Sequence, residues 1–226
     1  MSPLPAPRLV EAGPINAGLP CLEAEDDAGL LARLLGRTAG TRDTGSAVRQ
    51  LMARYGRLGA VLAADAAELA RIGDLTRAAL EDLKLVRLLC ERAARSEASA
   101  QPVISSWSSL QTYVRVALSD LPREQFRVLF LDKRNRLLSD EFVAEGTVDH
   151  APVYPREVLR RALEVSASAL ILVHNHPSGD PEPSQADIAM TRQVVEAAAV
   201  FQIQVHDHLI VARHGTASFR SLGLFP

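Results

Sequence analysis

The sequence predicts an α+β fold: a small N-terminal helical bundle followed by a mixed β-sheet domain with flanking helices. Apolar residues recur at helical spacing from Asp26 to Cys90. Short apolar or alternating runs bounded by turn residues follow in the second half of the chain. Those runs mix with helical stretches without the regular β-α-β alternation of a parallel sheet.

Each element has its own signal. Residues 1–20 are rich in Pro and Gly with little periodicity and read as a disordered leader. Leu30-Leu31 and Leu34-Leu35 make a short amphipathic helix ended by Gly36. Thr44 or Ser46 caps a second helix, which runs to Tyr55 and stops at Gly56. Residues 58–72 hold two short helical pieces around Asp65. Asp74 is expected to cap a longer helix with Leu75, Ala78-Ala79, Leu83, Val86 and Leu89-Cys90 on one face. These pieces define a helical domain over residues 21–95. Ser, Ala, Gln and Pro then mark a linker over 96–103, and the second domain spans 104–226. There Ser105 or Ser106 caps a helix to about Leu118. Gln125–Leu131 alternates as a strand, Lys133-Arg134-Asn135-Arg136 is a turn, and 137–143 returns. Tyr154-Pro155 opens a helix with Pro at its first position and Glu157 in its first turn. The run 169–173 is a buried strand by length and branching. A helix starts at Ser184, a strand covers 201–212, and 219–226 close the domain.

Composition narrows the classes. Hydrophobic residues make up 47% and aromatics only 4%, so the core is built from Ala, Leu and Val. Two cysteines, Cys21 and Cys90, form neither a disulfide framework nor a Cys-rich metal site, and fit a reducing compartment. No apolar stretch reaches the ~18 residues of a membrane span. The N-terminus lacks a basic region followed by an apolar one, so a cytoplasmic location without membrane partners is expected. The net charge is −2, and residues 21–95 carry 12 Arg and Lys against 11 Asp and Glu. That balance gives little support to nucleic-acid binding, which needs a basic patch.

The chemistry concentrates in residues 172–187. The buried strand runs into His174 and His176, and residues two apart on a strand point the same way. A Pro/Gly/Ser-rich loop follows, and Asp187 lies in the first turn of the next helix. Two imidazoles and one carboxylate make a three-ligand zinc site with an open fourth position, the catalytic kind. Ser184 and Asp187 also approach a capping box, so the carboxylate has a second reading as a helix-start residue.

His174-x-His176, ten residues, then Asp187, with Ser184 three before it, resembles the JAMM (MPN-plus) metalloprotease signature. The wider text is similar to RadC-like proteins of bacteria: Phe126-Arg127-Val128-Leu129-Phe130-Leu131-Asp132, Glu145-Gly146-Thr147-Val148-Asp149, Val153-Tyr154-Pro155-Arg156-Glu157-Val158, His174-Asn175-His176-Pro177-Ser178-Gly179-Asp180, Asp207-His208-Leu209-Ile210-Val211 and Ser221-Leu222-Gly223-Leu224. The resemblance is strong over about 103–226 and weak over 24–95. It implies a JAMM/MPN-type sheet domain behind a helix-hairpin-helix-like module, one Zn2+ per chain, and a protein or peptide substrate.

The resemblance also implies site residues. Glu124 matches the glutamate that serves as base, with Glu141 and Glu145 as competitors. Ser184 matches the serine that donates to the oxyanion, and a plain N-cap is its other reading. Asp207 and His208 match the family pattern and are candidates to support the ligands from behind. His206 stands where the family has an apolar residue, and His206-x-His208 is a rival ligand pair. His150 and His214 read as surface residues, Arg156 and Glu157 as a local pair, and Gly179 as a loop turn. In the hairpin Ile72-Gly73-Asp74-Leu75-Thr76 the second glycine is unmatched, and Asp74 adds negative charge where a phosphate would sit. Three activities stay open: a zinc hydrolase cutting a peptide or isopeptide bond, a DNA repair or recombination factor as the RadC name implies, and a metal-stabilised scaffold without turnover.

Overall fold

A computed structural model describes residues 22–38, 43–103, 105–146 and 153–225. The expected leader, Cys21 and His150 lie outside the described residues. Among the described residues, five α-helices follow a short 3-10 turn at Leu22–Ala24: α1 (Asp27–Gly36), α2 (Thr44–Tyr55), α3 (Leu58–Ala63), α4 (Ala66–Gly73) and α5 (Arg77–Ser99). They bury Leu31, Leu35, Leu51, Val61, Leu69 and Leu83 in one cluster. The cap of α2 is Asp43, whose carboxylate accepts from the Ser46 amide, rather than Thr44 or Ser46. α2 stops at Gly56 in the left-handed region, φ 77°, as its position predicts.

Asp74 does not cap α5. It ends α4 in the left-handed region at φ 46°, and Thr76 caps α5 by accepting from Ala79 N–H at 3.1 Å. Asp tolerates that backbone better than most residues, which is how an Asp occupies the hairpin turn. Residues 96–99, expected as linker, continue α5 as helix, and Ala98 is fully buried there. Its cluster includes residues of the next helix, α6 (Trp107–Leu118). Arg57 pairs with Asp120 at 2.8 Å, and Arg87 donates to the Ala117 carbonyl at 2.9 Å. No described helix is long and apolar enough to cross a membrane.

The second half is a three-layer α+β domain. Its strands are β1 (Gln125–Leu131), β2 (Leu137–Glu145), β3 (Ala169–His176), β4 (Gln204–Ala212) and β5 (Gly215–Ser218), in sheet order β2-β1-β3-β4-β5. β3 and β4 are parallel and every other neighbour is antiparallel. Alternation along the strands splits the core. Leu129, Leu131, Ile171 and Val173 face α6. Phe126, Val128, Phe130, Leu170 and Leu172 face α7 (Pro155–Glu164) and α8 (Gln185–Val200). Full burial of each such side chain contributes about 1.5–3 kcal/mol.

Two details differ from expectation. Phe201 and Gln202 belong to the exit from α8, with Gln202 at φ 58°, so β4 starts at Gln204. β5 is Gly-Thr-Ala-Ser, which has no apolar alternation to announce it. It forms because a tight turn at Arg213-His214 folds it onto β4.

Candidate metal centre

The two histidines lie on the last rungs of β3. Pairing with β1 ends at Phe126↔His174, while pairing with β4 continues to His176↔Ala212. Both imidazoles have the parity of Leu170 and Leu172, so they rise on the α8 side. The loop then turns at Gly179, φ 94°, where a Cβ would also stand 3.1 Å from the His214 ring. α8 begins with a complete capping box. Asp187 N–H donates to Ser184 Oγ at 3.2 Å, and Ser184 N–H donates to Asp187 Oδ2 at 2.8 Å. The cap reading of Asp187 is met, and the same box aims the carboxylate at the histidines.

One ligand atom from each of His174, His176 and Asp187 lies within 4.8 Å of the others. The Nε2 atoms of the two histidines are 2.9 Å apart, and Asp187 is 3.3 Å from His174 and 3.6 Å from His176. His176 Nδ1 faces the Asp180 carbonyl at 2.9 Å, which can only accept, so the proton of its neutral ring sits on Nδ1. Its Nε2 lone pair then points into the cluster beside an acceptor carboxylate. Such a group could hold a cation at its centre. The donor set fits zinc, which takes imidazole nitrogen and carboxylate oxygen.

The electrostatics agree. A proton added at His176 Nε2 would be accepted by Asp187, which lifts the His176 pKa above its ordinary value, and Glu124 adds to that pull. Burial pushes the Asp187 carboxyl up, but His176, His174 and Ser184 outweigh it and hold it well below the usual carboxylate range. The Ser184 hydroxyl donates to Asp187 Oδ2 at 2.6 Å. In this arrangement the Ser184 hydroxyl is taken up by Asp187, and it would have to turn away to donate elsewhere.

The three glutamates separate clearly. Glu124 sits half-buried immediately before β1 and acts on the His176 ring. Glu141 is held by Arg161 through two contacts of 2.6 and 2.8 Å. Glu145 is exposed and faces Arg123 at 3.8 Å.

The sheet supports the cluster from behind. His174 Nδ1 meets His208 Nε2 at 2.8 Å, and His208 Nδ1 meets Thr191 Oγ1 at 2.6 Å. Burial, then the neighbouring His174, pushes the His208 pKa well down, so its ring is neutral. Asp207 reaches the site only indirectly: its carboxylate accepts from the His208 and Arg220 amides and from the Ser218 hydroxyl. Asn175, on the opposite sheet face, is 1% exposed. It accepts from Gln125 N–H at 2.8 Å and donates to the Arg123 carbonyl at 3.1 Å, so it clamps the chain on both sides of Glu124. Sequence reading missed Asn175 and Thr191. The available signals were an Asn ending an otherwise apolar strand and a Thr one turn beyond Asp187.

The rival pair does not form a site. His206 meets Asn135 Oδ1 at 2.6 Å near the start of β4, away from the cluster at the strand's far end. His214 is exposed, and Arg156 pairs with Glu157 at 3.4 Å.

A helix-flanked five-stranded sheet carrying this His/His/carboxylate group defines a JAB/MPN-type domain. A family model described as RadC-like JAB domain matches residues 104–224. The UPF0758 protein of Rhodobacter capsulatus is 50% identical over 202 residues, which cover 89% of this chain and 94% of that protein. The chain belongs to the RadC-like JAB family.

Proposed function

We propose that this chain is a zinc-dependent hydrolase of JAMM type that cleaves a peptide or isopeptide bond. The carrying observation is the convergence of His174, His176 and Asp187 beside Glu124. His174, His176 and Asp187 would hold one zinc per chain, which supplies a bound water of lowered pKa and polarises the substrate carbonyl. Glu124 takes a proton from the attacking water and delivers it to the leaving amine. Asn175 and the strand pairing of β1 keep that carboxylate in place. Ser184 orients Asp187 and, once turned, donates its hydroxyl to the developing oxyanion. The exposed thiol of Cys90 fits a reducing, cytoplasmic setting.

Nucleic-acid binding by the helical module receives no support from the hairpin, whose turn carries Asp74 in a left-handed conformation.

The test combines metal analysis with hydrolysis of isopeptide-linked and linear peptide libraries. Wild type should carry one zinc, His176→Ala should lose it, and Glu124→Gln should keep zinc and melting temperature. Turnover of Glu124→Gln should drop by roughly a hundredfold or more, the scale of a lost general base. Equal zinc in wild type and His176→Ala, or full turnover in Glu124→Gln, would overturn the assignment.

A further inference from the structure

We propose that Thr191 is a positioning residue that determines which nitrogen of His174 faces the metal, acting through His208. The inference rests on the metal-centre reading above and deepens it.

Thr191 lies one helical turn beyond Asp187 on α8 and is 1% exposed. His208 is fully buried on β4, between Thr191 and His174. Three short contacts run in line. Thr191 Oγ1 is 2.6 Å from the Asp187 carbonyl and 2.6 Å from His208 Nδ1, and His208 Nε2 is 2.8 Å from His174 Nδ1. Each of these three contacts needs one hydrogen, because two bare lone pairs at that separation repel; the His174 and His176 Nε2 atoms, 2.9 Å apart, are the pair whose repulsion a bound cation would relieve.

The proton count has one solution. A backbone carbonyl only accepts, so the Thr191 hydroxyl gives its single hydrogen to Asp187. Its oxygen must then accept from His208, which places the His208 hydrogen on Nδ1. A neutral imidazole carries one N–H, so His208 Nε2 is bare and accepts from His174 Nδ1. The neutral His174 ring then has its lone pair on Nε2, the atom that faces His176 and Asp187. The opposite tautomer would put a hydrogen there and block ligation.

A threonine bonding back to the carbonyl one turn earlier is common in helices. The second contact, from a fully buried imidazole, gives it this further task. His176 needs no relay, since its Nδ1 reaches the Asp180 carbonyl directly. His174 reaches a carbonyl through His208 and Thr191, and that carbonyl belongs to the third ligand residue. Phe126 stacks on His174 and Phe219 packs on His208, with centroids 6.0 and 4.5 Å away. These rings hold the imidazole planes, while Thr191 decides the protons.

The experiment uses the full-length, metal-stripped protein and zinc as the probe. Imidazole 15N shifts report the tautomers without metal, and competition with a chromophoric chelator reports zinc affinity. Wild type should show Nδ1–H tautomers at both His208 and His174. Thr191→Val keeps the shape and loses the hydroxyl. It should give mixed tautomers and zinc affinity about 10–100-fold weaker, the scale of a lost support behind a metal-bound histidine. Thr191→Ser should restore both. An Nε2–H tautomer of wild-type His208 overturns the proposal with no variant needed. So does Thr191→Val binding zinc as tightly as wild type. Wild type with the expected tautomers but no zinc binding instead overturns the metal-centre reading, and the metal-positioning role with it.

Discussion

Replacing Asn175 by Ala tests how the sheet holds the chain around Glu124. The substitution removes the acceptor for Gln125 N–H and the donor to the Arg123 carbonyl, at 2.8 and 3.1 Å. The Gln125 amide lies at a half-buried residue and loses its side-chain acceptor, while the Arg123 carbonyl lies at an exposed one and gains water. The first loss lies within the 1–3 kcal/mol range for an unsatisfied buried group and the second costs less, giving about 2 kcal/mol together. For a chain of this size that corresponds to a fall of about 4–8 °C in melting temperature. Circular dichroism of the full chain measures the fall, and hydrogen exchange at Gln125 localises it. Bound zinc should stay at the wild-type level, because Asn175 points to the opposite sheet face. Turnover should fall with Glu124 loosened. An unchanged melting temperature with unchanged exchange at Gln125 would refute the clamp.

Two further outcomes follow from the electrostatics. Asp187 holds the His176 pKa above its ordinary value, so a proton occupies the nitrogen zinc needs at any pH below that raised value. Zinc affinity should therefore rise with pH and be lost by about tenfold per unit as pH falls through the raised pKa; a flat profile in chelator competition counts against the ligand set. The helical module, with 12 basic against 11 acidic residues over 21–95, should bind duplex DNA weakly even at low salt. Sub-micromolar binding of labelled duplex with a steep salt slope would restore the nucleic-acid alternative.

The residues themselves dictated the convergence of two histidines and a carboxylate and the plan of the fold. Period-two alternation places His174 and His176 on one side of any strand, whatever surrounds it. Ser184 before Asp187 starts a helix and orients the carboxylate through contacts three residues apart. The apolar run into His174 made β3 a buried strand. These signals are local, so they survive without knowledge of the partners. Glu124 was named by resemblance, but spacing alone could not separate it from Glu141 and Glu145. That separation needed Arg161 on α7 to take Glu141 and Asn175 on β3 to hold the chain at Glu124. The tautomer relay through His208 and Thr191 spans two elements meeting only in the packed core, as does the β5 hairpin edge. The Asp74 and Thr76 reversal came from the same source: one turn cannot both end α4 in a left-handed conformation and cap α5 at the same residue. Side-chain type and short-range period set which groups converge. Long-range packing decided their partners and protons, because hydrogen bonds between distant segments exist only once the layers close.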